Sequence, residues 1–580
     1  MTATQQNLPV TQWRFNDGDE AVQRELAHEF GIHPVVSQIL MSRDLFDVDQ
    51  ARRFLKPSLN DLPSPFLMKD MEKGVRRVIQ AVYRKEKITI YGDYDADGIT
   101  AVVVLMRFLR GVTPHVSYYI PDRIDEGYGL NRSAIDRLKA EGAQLIITVD
   151  CGVSDHDEVA YAKSTGLDTI VLDHHEVPPQ LPPAQAVINP NRSDCRFPFK
   201  HLAGVGIAFN FLIALRGRLR EDGYWSERPY PNLKEYLDLV ALGTIGDISP
   251  LLGENRILTK IGLELITEDR RVGLKALKEI CGIENQVIDS NKASFNLIPR
   301  INAAGRIGSP REAVELLMTD DFATATELAR TLDAYNRKRQ SMERAVLNEI
   351  LEEISNSMDP SKMRSLVFAS NNWHPGIIGI VASRLVDRFC RPAILISLKN
   401  GVGKGSGRSI TDFNIYQGLK KCDSLLLSYG GHQYAAGISI KEEDIGQFAR
   451  LLDEAVEANI HLDAMVSQTL VDAQCLLSDL NHDLLAQIGM LAPFGSRNPE
   501  PVLCARNVNI TGSNIVGNNH LRMRINGDGV SCNSIWFSRG NFIHSVQRTT
   551  SDIVFTPQIN NWNGMSEIQL KMRDILITEQ

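Results

Sequence analysis

Asp93, Asp95 and Asp97 recur at every second position of GDYDADG (92–98), Asp150 stands in VDCG, Asp173 precedes His174-His175, and Asp247 follows LVALGTIG. Carboxylates gathered at the edge of a buried sheet repel one another and are costly unless cations neutralise them. Hard divalent ions take oxygen ligands, and an added imidazole shifts the preference from calcium towards manganese. Several aspartates and a histidine, with one carboxylate bridging, suit two metals about 3.5–4 Å apart, a pair that activates water and steadies both oxygens of an in-line phosphoryl displacement. One DxDG is often a turn or a weak calcium loop, and one HH pair is usually structural. Three such features, each just after a predicted strand, favour the dinuclear reading. No Ser/His/Asp or Cys/His nucleophile arrangement can be placed beside them.

The elements that must position these groups read as an α/β domain. The β-prone runs ITIY (88–91), 116–120, LIITV (145–149) and TIVL (169–172) alternate with helical stretches at 99–109, 132–141 and near 155–164, and Asn131 and Gly142 supply caps for the middle one. Such alternation implies crossover units and a parallel sheet, whose ligands collect beyond the carboxyl ends of the strands. Residues 201–280 and 310–356 read as mainly helical, and 332–354, with its Arg337-Lys338-Arg339 run, as a solvated connecting helix. The alternation resumes at SLVFAS, a helix from Ile377 and PAILISL, followed by the glycine-rich GVGKGSGRS and YGGHQYAAG. In HLRMRI (520–525), Leu521, Met523 and Ile525 point one way and Arg522 and Arg524 the other, before an NGDG turn. Short strands of this kind predict a small barrel of the OB type. Residues 1–60 read as short helical pieces without a chemical motif.

A chain of 580 residues needs more than one core, and a formal charge of −8 excludes a generally basic nucleic-acid coat, leaving a localised basic groove. Eight cysteines without a CxxC pair argue against a zinc ribbon, a redox motif and a disulfide framework, and fit free thiols in a reducing compartment. The N-terminus lacks the basic and apolar regions of a signal peptide, and the apolar stretch 202–215, at 14 residues, is short of a membrane span. The expected location is the cytoplasm, with no membrane contact.

DYDADG, Asp150 in VDCG, Asp173-His174-His175 and Asp247 in GTIGDISPL resemble the four motifs of the DHH phosphoesterase superfamily, and GSGRS (405–409) and GGHQYAAG (430–437) its DHHA1 companion domain. YIPDRIDEGYGL (119–130), RINAAGR (300–306) and WHPGIIGIVASRL (373–385) are similar to the branch formed by bacterial exonucleases of single-stranded DNA. The resemblance covers nearly the whole chain. It implies an α/β fold: a DHH parallel-sheet domain (61–310) after an N-terminal segment (1–60), connecting helices (311–360), a DHHA1 domain (361–460) and an OB-like barrel (466–580). In PFGSRNPEP (493–501), similar to the family's approach to the barrel, Arg497 stands where a second glycine is expected.

By position in the motifs, the resemblance implies that Asp93, Asp95, Asp97, Asp150, His174 and Asp247 hold two divalent ions, Mn²⁺ or Mg²⁺, with Asp150 as the bridge. His175 would face the scissile phosphate and Asp173 would orient a neighbouring imidazole. Arg123, Arg306, Ser406, Arg408 and His432 are the candidates for the substrate and its 5′-phosphate, the glycines of GSGRS letting the backbone approach an anion. Arg522, Arg524 and Trp536 are candidates for the path of the strand, Trp536 being more readily barrel core. The implied activity is 5′→3′ exonuclease cleavage of single-stranded DNA to 5′-mononucleotides, in recombination and repair, by a monomer working with a single-strand-binding protein and a helicase. The alternatives are a phosphodiesterase of short oligonucleotides or cyclic dinucleotides, and a non-catalytic single-strand-binding relative.

Overall fold

The computed structural model describes residues 12–15, 18–357, 363–459, 468–562 and 565–579. The expected boundaries near 360 and at 460–466 lie outside the described residues. The chain forms two compact units, 62–465 and 1–61 together with 466–580.

In the unit 62–465 the first sheet has five strands in the order Val116–Tyr119, Ile88–Gly92, Leu145–Val149, Asp168–Leu172 and Ala186–Ile188, all parallel. ITIYG and LIITV are buried along their whole lengths because helices cover both faces, hence the unbroken apolar runs. The chain leaves Ile88–Gly92 towards one side and then returns to the other through Leu145–Val149. Their carboxyl ends therefore flank the topological switch point, where open parallel sheets bind ligands. The last strand is absent from the sequence reading: three residues between prolines carry too little periodicity to announce it.

Asn131 caps Arg132–Ala140 through Ala134 N, as expected. The apolar stretch 202–215 lies in the buried helix Gly204–Glu221, and among the described residues no helix is long and apolar enough to cross a membrane. The helix Phe322–Ser357 begins ten residues before the expected 332 and leads to a second, mixed sheet. Its order is Leu426–Gly431, Ala435–Lys441, Val402–Arg408, Ala393–Lys399 and Leu366–Ser370, only the last pair being parallel. One face packs on the helix Pro375–Phe389 and the connecting helix, and the other on a core that includes Ile396, Ile438 and Phe448.

In the other unit, short helices Glu20–Phe30, Pro34–Met41 and Val48–Leu55 accompany a closed five-stranded barrel. Leu503–Val516, His520–Gly527, Val530–Trp536, Met565–Glu579 and Thr550–Trp562 pair in that order, and the last closes on the first. Leu521, Met523 and Ile525 face its core, with Arg522 and Arg524 outside. Trp536 is core, stacked on Phe542. The 495–498 turn closes without the expected glycine, because Arg497 itself takes φ 59° while the Asn498 amide holds the carbonyls of Leu491 and Pro493. All eight cysteines are free thiols.

Candidate metal centre and phosphate-binding face

The strand Ile88–Gly92 delivers Asp93, and the chain turns at once into the helix Ala96–Arg110. Asp95 caps that helix, accepting from Asp97 N (2.9 Å) and Gly98 N (3.2 Å), while Asn302 Oδ1 takes the Ala96 amide. The turn is so tight that a Cβ on Gly98 would stand 2.6 Å from the Asp93 carbonyl oxygen. Asp97, in the first turn, accepts from Gly204 N (2.6 Å) and Val205 N (2.8 Å), so the start of a second buried helix fixes its carboxylate. Asp150 takes φ 60°, in the left-handed region that aspartate tolerates better than most residues.

These turns bring the acids together. Ligand atoms of Asp93, Asp95 and Asp150 lie within 4.8 Å of one another, as do those of Asp97, His174 and Asp247, and those of Asp150, His174 and His175. His174 Nε2 is 3.0 Å from Asp150, 3.9 Å from Asp247 and 4.0 Å from Asp97. Asp150 and His174 each belong to two groups, and the 3.0 Å contact between them joins the Asp93–Asp95 set to the Asp97–Asp247 set. Asp173 belongs to none: it binds His175 Nδ1 at 2.7 Å and the amides of Val153, His174 and His175.

Burial pushes the Asp93 carboxyl well up, reinforced by Asp95, and pushes Asp150 well up, reinforced by Asp97. Asp97 rises to about 7 through burial and the Asp247 charge. Asp247 also rises with burial, against the pull of His174. Burial opposes the charge on His175, but the bond to Asp173 outweighs it and the imidazole rises to about 9. Asp173, though buried, is held below the usual carboxylate value by that same partner. Divalent ions fit this donor set. Asp93 Oδ1 is buried without a hydrogen-bond partner among the described residues, and four of the acids are disfavoured as anions until a cation meets them.

The cationic candidates meet across the two α/β domains. Arg123 stacks on Tyr94 at 4.9 Å and lowers the charge preference of both Arg306 and Arg408. Burial, aided by Arg123, brings Arg306 down to about 10, and its Nη1 donates to Gly376 O at 3.1 Å. Arg408 Nη1 donates to Ser406 Oγ at 3.1 Å. His432 Nε2 reaches Glu176, next to His175, at 3.6 Å. The glycines of GSGRS act differently from the expectation. In Val402–Arg408 alternate residues share a face: Lys404, Ser406 and Arg408 look one way, and Gly403, Gly405 and Gly407 look into the core. A Cβ on those glycines would meet Ile396, Ile438 or Ile415 at 2.4–2.7 Å, so they make room for isoleucines and not for an anion.

Tyr128 escaped the sequence reading. Its hydroxyl donates to Asp150 O at 2.9 Å and lies 3.2 Å from His175 Nδ1. The available signal was its place between Gly127 and Gly129, both at positive φ, which force the loop to present it. Ser249, bonded to Asp247, and Asn189 and Asn191, bonded to the His175 and His174 carbonyls, were also missed.

Comparison with known proteins agrees with this geometry. The DHH family, N-terminal domain model matches residues 87–244, the DHHA1 domain model 362–458 and the RecJ OB domain model 471–574. The single-stranded-DNA-specific exonuclease RecJ of Bacillus subtilis is 37% identical over 98% of this chain and 71% of its own length. The RecJ of Salmonella typhimurium is 34% identical over 93% of this chain and 96% of its own. The crystal structure of Thermus thermophilus RecJ in complex with Mn²⁺ superposes with a TM-score of 0.84 at 29% identity, covering 98% of this chain and 80% of that one. The same protein in complex with Mg²⁺ gives 0.78. With its acids at the switch point and these three domains in this order, the chain belongs to the RecJ family of DHH phosphoesterases.

Proposed function

We propose that this chain is a metal-dependent exonuclease that degrades single-stranded DNA from its 5′ end to 5′-mononucleotides. The carrying observation is the pairing of a buried acid cluster with a cationic face in one unit: one suits phosphodiester hydrolysis and the other an end phosphate. Asp93, Asp95, Asp97, Asp150, His174 and Asp247 would hold the ions, with Asp150 between them. When bound, two such ions supply an activated water and charge stabilisation for phosphoryl displacement.

The chain's own groups orient and neutralise. Asp173 fixes His175 through Nδ1 and keeps it protonated at neutral pH, directing its remaining N–H to a phosphate oxygen. Tyr128 ties His175 to the Asp150 backbone, so that imidazole and carboxylate move together. Arg123, Arg306, Arg408 and Ser406 take the terminal 5′-phosphate through charge-assisted donors, and His432 contacts the strand beside His175. Catalysis belongs to 61–310, end capture to 361–460 and single-strand contact, through Arg522 and Arg524, to the barrel (466–580), with 1–60 and 311–360 as supports. The centre is built from one chain, which supports a monomer. A substrate that must first be unwound and kept open calls for a helicase and a single-strand-binding protein. Eight unpaired thiols support a cytoplasmic site of action.

One oligonucleotide, single- or double-stranded and labelled at either end, tests the reading with Mn²⁺, Mg²⁺ or a chelator. Early release of a labelled mononucleotide only from the 5′ end of the single strand, abolished by the chelator, is expected. Turnover confined to di- to pentanucleotides would transfer the assignment to an oligonucleotide phosphodiesterase.

A further inference from the structure

A cavity of about 850 Å³ opens between the Arg123 loop and the second α/β domain, ample for a small ligand. Its lining includes Arg123, Lys399 and Lys404 against one carboxylate, Asp125. None of the three cations forms an ion pair among the described residues. Apolar side chains form another part of the lining: Ile124 and Val402, both exposed, and Met342, half-buried. Trp373 backs this lining from the core, with its indole N–H satisfied on Glu349 Oε2 (2.9 Å). The amides of Asn371 and Asn372 stand exposed at the rim.

This cavity continues the phosphate-binding face. Lys404, Ser406 and Arg408 alternate along one strand and share a face, so Lys404 lies about 7 Å beyond Ser406. Arg123 borders both places: it lines the cavity, and its charge is felt by Arg306 and Arg408. An anion leaving Ser406 and Arg408 therefore finds two further cations, Lys399 and Lys404, neither ion-paired among the described residues. A bare phosphate would leave the apolar lining unused, and a nucleoside would leave the lysines unused. A ligand carrying a phosphate and a flat ring together uses both, with the asparagine amides available to the ring edge.

We propose that this cavity binds a nucleoside 5′-monophosphate away from the metal centre, and, resting on the exonuclease reading for its source, that the occupant is the product of cleavage on its way out. The site would make the enzyme sensitive to its own product and give each released nucleotide a place apart from the centre, freeing that for the next linkage.

Calorimetric titration of the full chain with 2′-deoxyadenosine 5′-monophosphate, in chelator so that no turnover occurs, tests the site independently of catalysis. The mononucleotide should bind at least about tenfold more tightly than deoxyadenosine or inorganic phosphate. Two binding events are expected, one at the 5′-phosphate face and one in the cavity: Lys404→Glu, or Lys399→Ala with Lys404→Ala should the charge reversal lower the melting temperature, should weaken the cavity event by at least about tenfold and spare the other, while Arg408→Ala does the reverse. Absence of the cavity event, equal binding of phosphate there, or a single event lost with Arg408→Ala but not with the lysine variants would overturn the proposal. A chain that binds the mononucleotide yet hydrolyses no DNA would keep the site and lose the exonuclease reading instead.

Discussion

The two sheets of the unit 62–465 present opposite charge by opposite means. The first, all parallel, places its acids beyond the strand ends, where a turn can set each carboxylate without regard to alternation: Asp93 and Asp150 follow adjacent strands, and Asp247 comes from a helix end. The second places its cations within a strand, where every other residue is committed to the opposite face, and Gly403, Gly405 and Gly407 fill those positions. A strand end thus concentrates charge in a small volume, as ion binding needs, and a strand face spreads it along a line, as gripping a chain needs. The acids are disfavoured as anions without a cation, whereas the arginines stay charged although burial opposes it.

The largest difference between the two should appear on removing one charge from each. Asp150→Asn keeps a residue tolerant of φ 60° and should lower nucleotide release by at least about 10³-fold, since a group shared by two ligand sets loses its charge. Binding of single strand should persist, and the chelated variant should melt at a higher temperature than the parent because a buried repulsion is relieved. Equal loss of binding and fold would remove Asp150 from the centre.

The next contrast is pH. A carboxyl whose folded value is raised costs stability as pH climbs from the ordinary carboxylate range through that value, here about 7 for Asp97. The metal-free protein should therefore lose melting temperature between about pH 4 and 7, and Mn²⁺ should restore it above 7. Apparent Mn²⁺ affinity should fall roughly tenfold per pH unit below 7 for each proton displaced. Binding of a 5′-phosphorylated single strand in chelator should stay flat between pH 7 and 8, because His175 titrates only at about 9 and Arg306 at about 10. Parallel slopes for the two titrations would erase the distinction between the sheets. Smaller again is Arg408→Ala, which should cost about 10–100-fold in kcat/KM on 5′-phosphorylated DNA and much less on 5′-hydroxyl DNA, the scale of one or two charge-assisted bonds.

How far the sequence reveals these features follows the same division. The acids were legible because strand ends are easy to find: unbroken apolar runs such as LIITV stop where the chemistry starts. The parallel sheet, the second α/β domain and the barrel followed from periodicity, and the NGDG turn and outward Arg522 and Arg524 were read residue by residue. Tyr128, in a loop, and Asn302, on the helix Ile298–Ile307, were not, since their partners lie 22 and 206 residues away in the chain. The strand Ala186–Ile188 was too short to carry a period. Arg497 shows the converse: the sequence lacks the glycine the turn would prefer, and the turn forms with an arginine at positive φ.

The finest test separates two explanations of the glycines in Val402–Arg408. A methyl on Gly405 would lie 2.5 Å from Ile438 Cγ1 and 3.2 Å from Ile396 Cγ1, both in a packed core, so Gly405→Ala should destabilise by about 1–3 kcal/mol. On the neighbouring strand Gly437 meets nothing nearer than the Gly405 carbonyl oxygen at 4.0 Å, and Gly437→Ala should stay within about 0.5 kcal/mol. Thermal unfolding of the full chain, followed with limited proteolysis of the second α/β domain, reads both. If the glycines serve packing, Gly405→Ala melts earlier yet keeps its preference for a 5′-phosphate at temperatures where it is folded. If they serve close approach of the anion, the order inverts: preference is lost while stability is unchanged. Only the first outcome is compatible with a strand whose two faces divide the work, Ser406 and Arg408 for the ligand and Gly405 for Ile438.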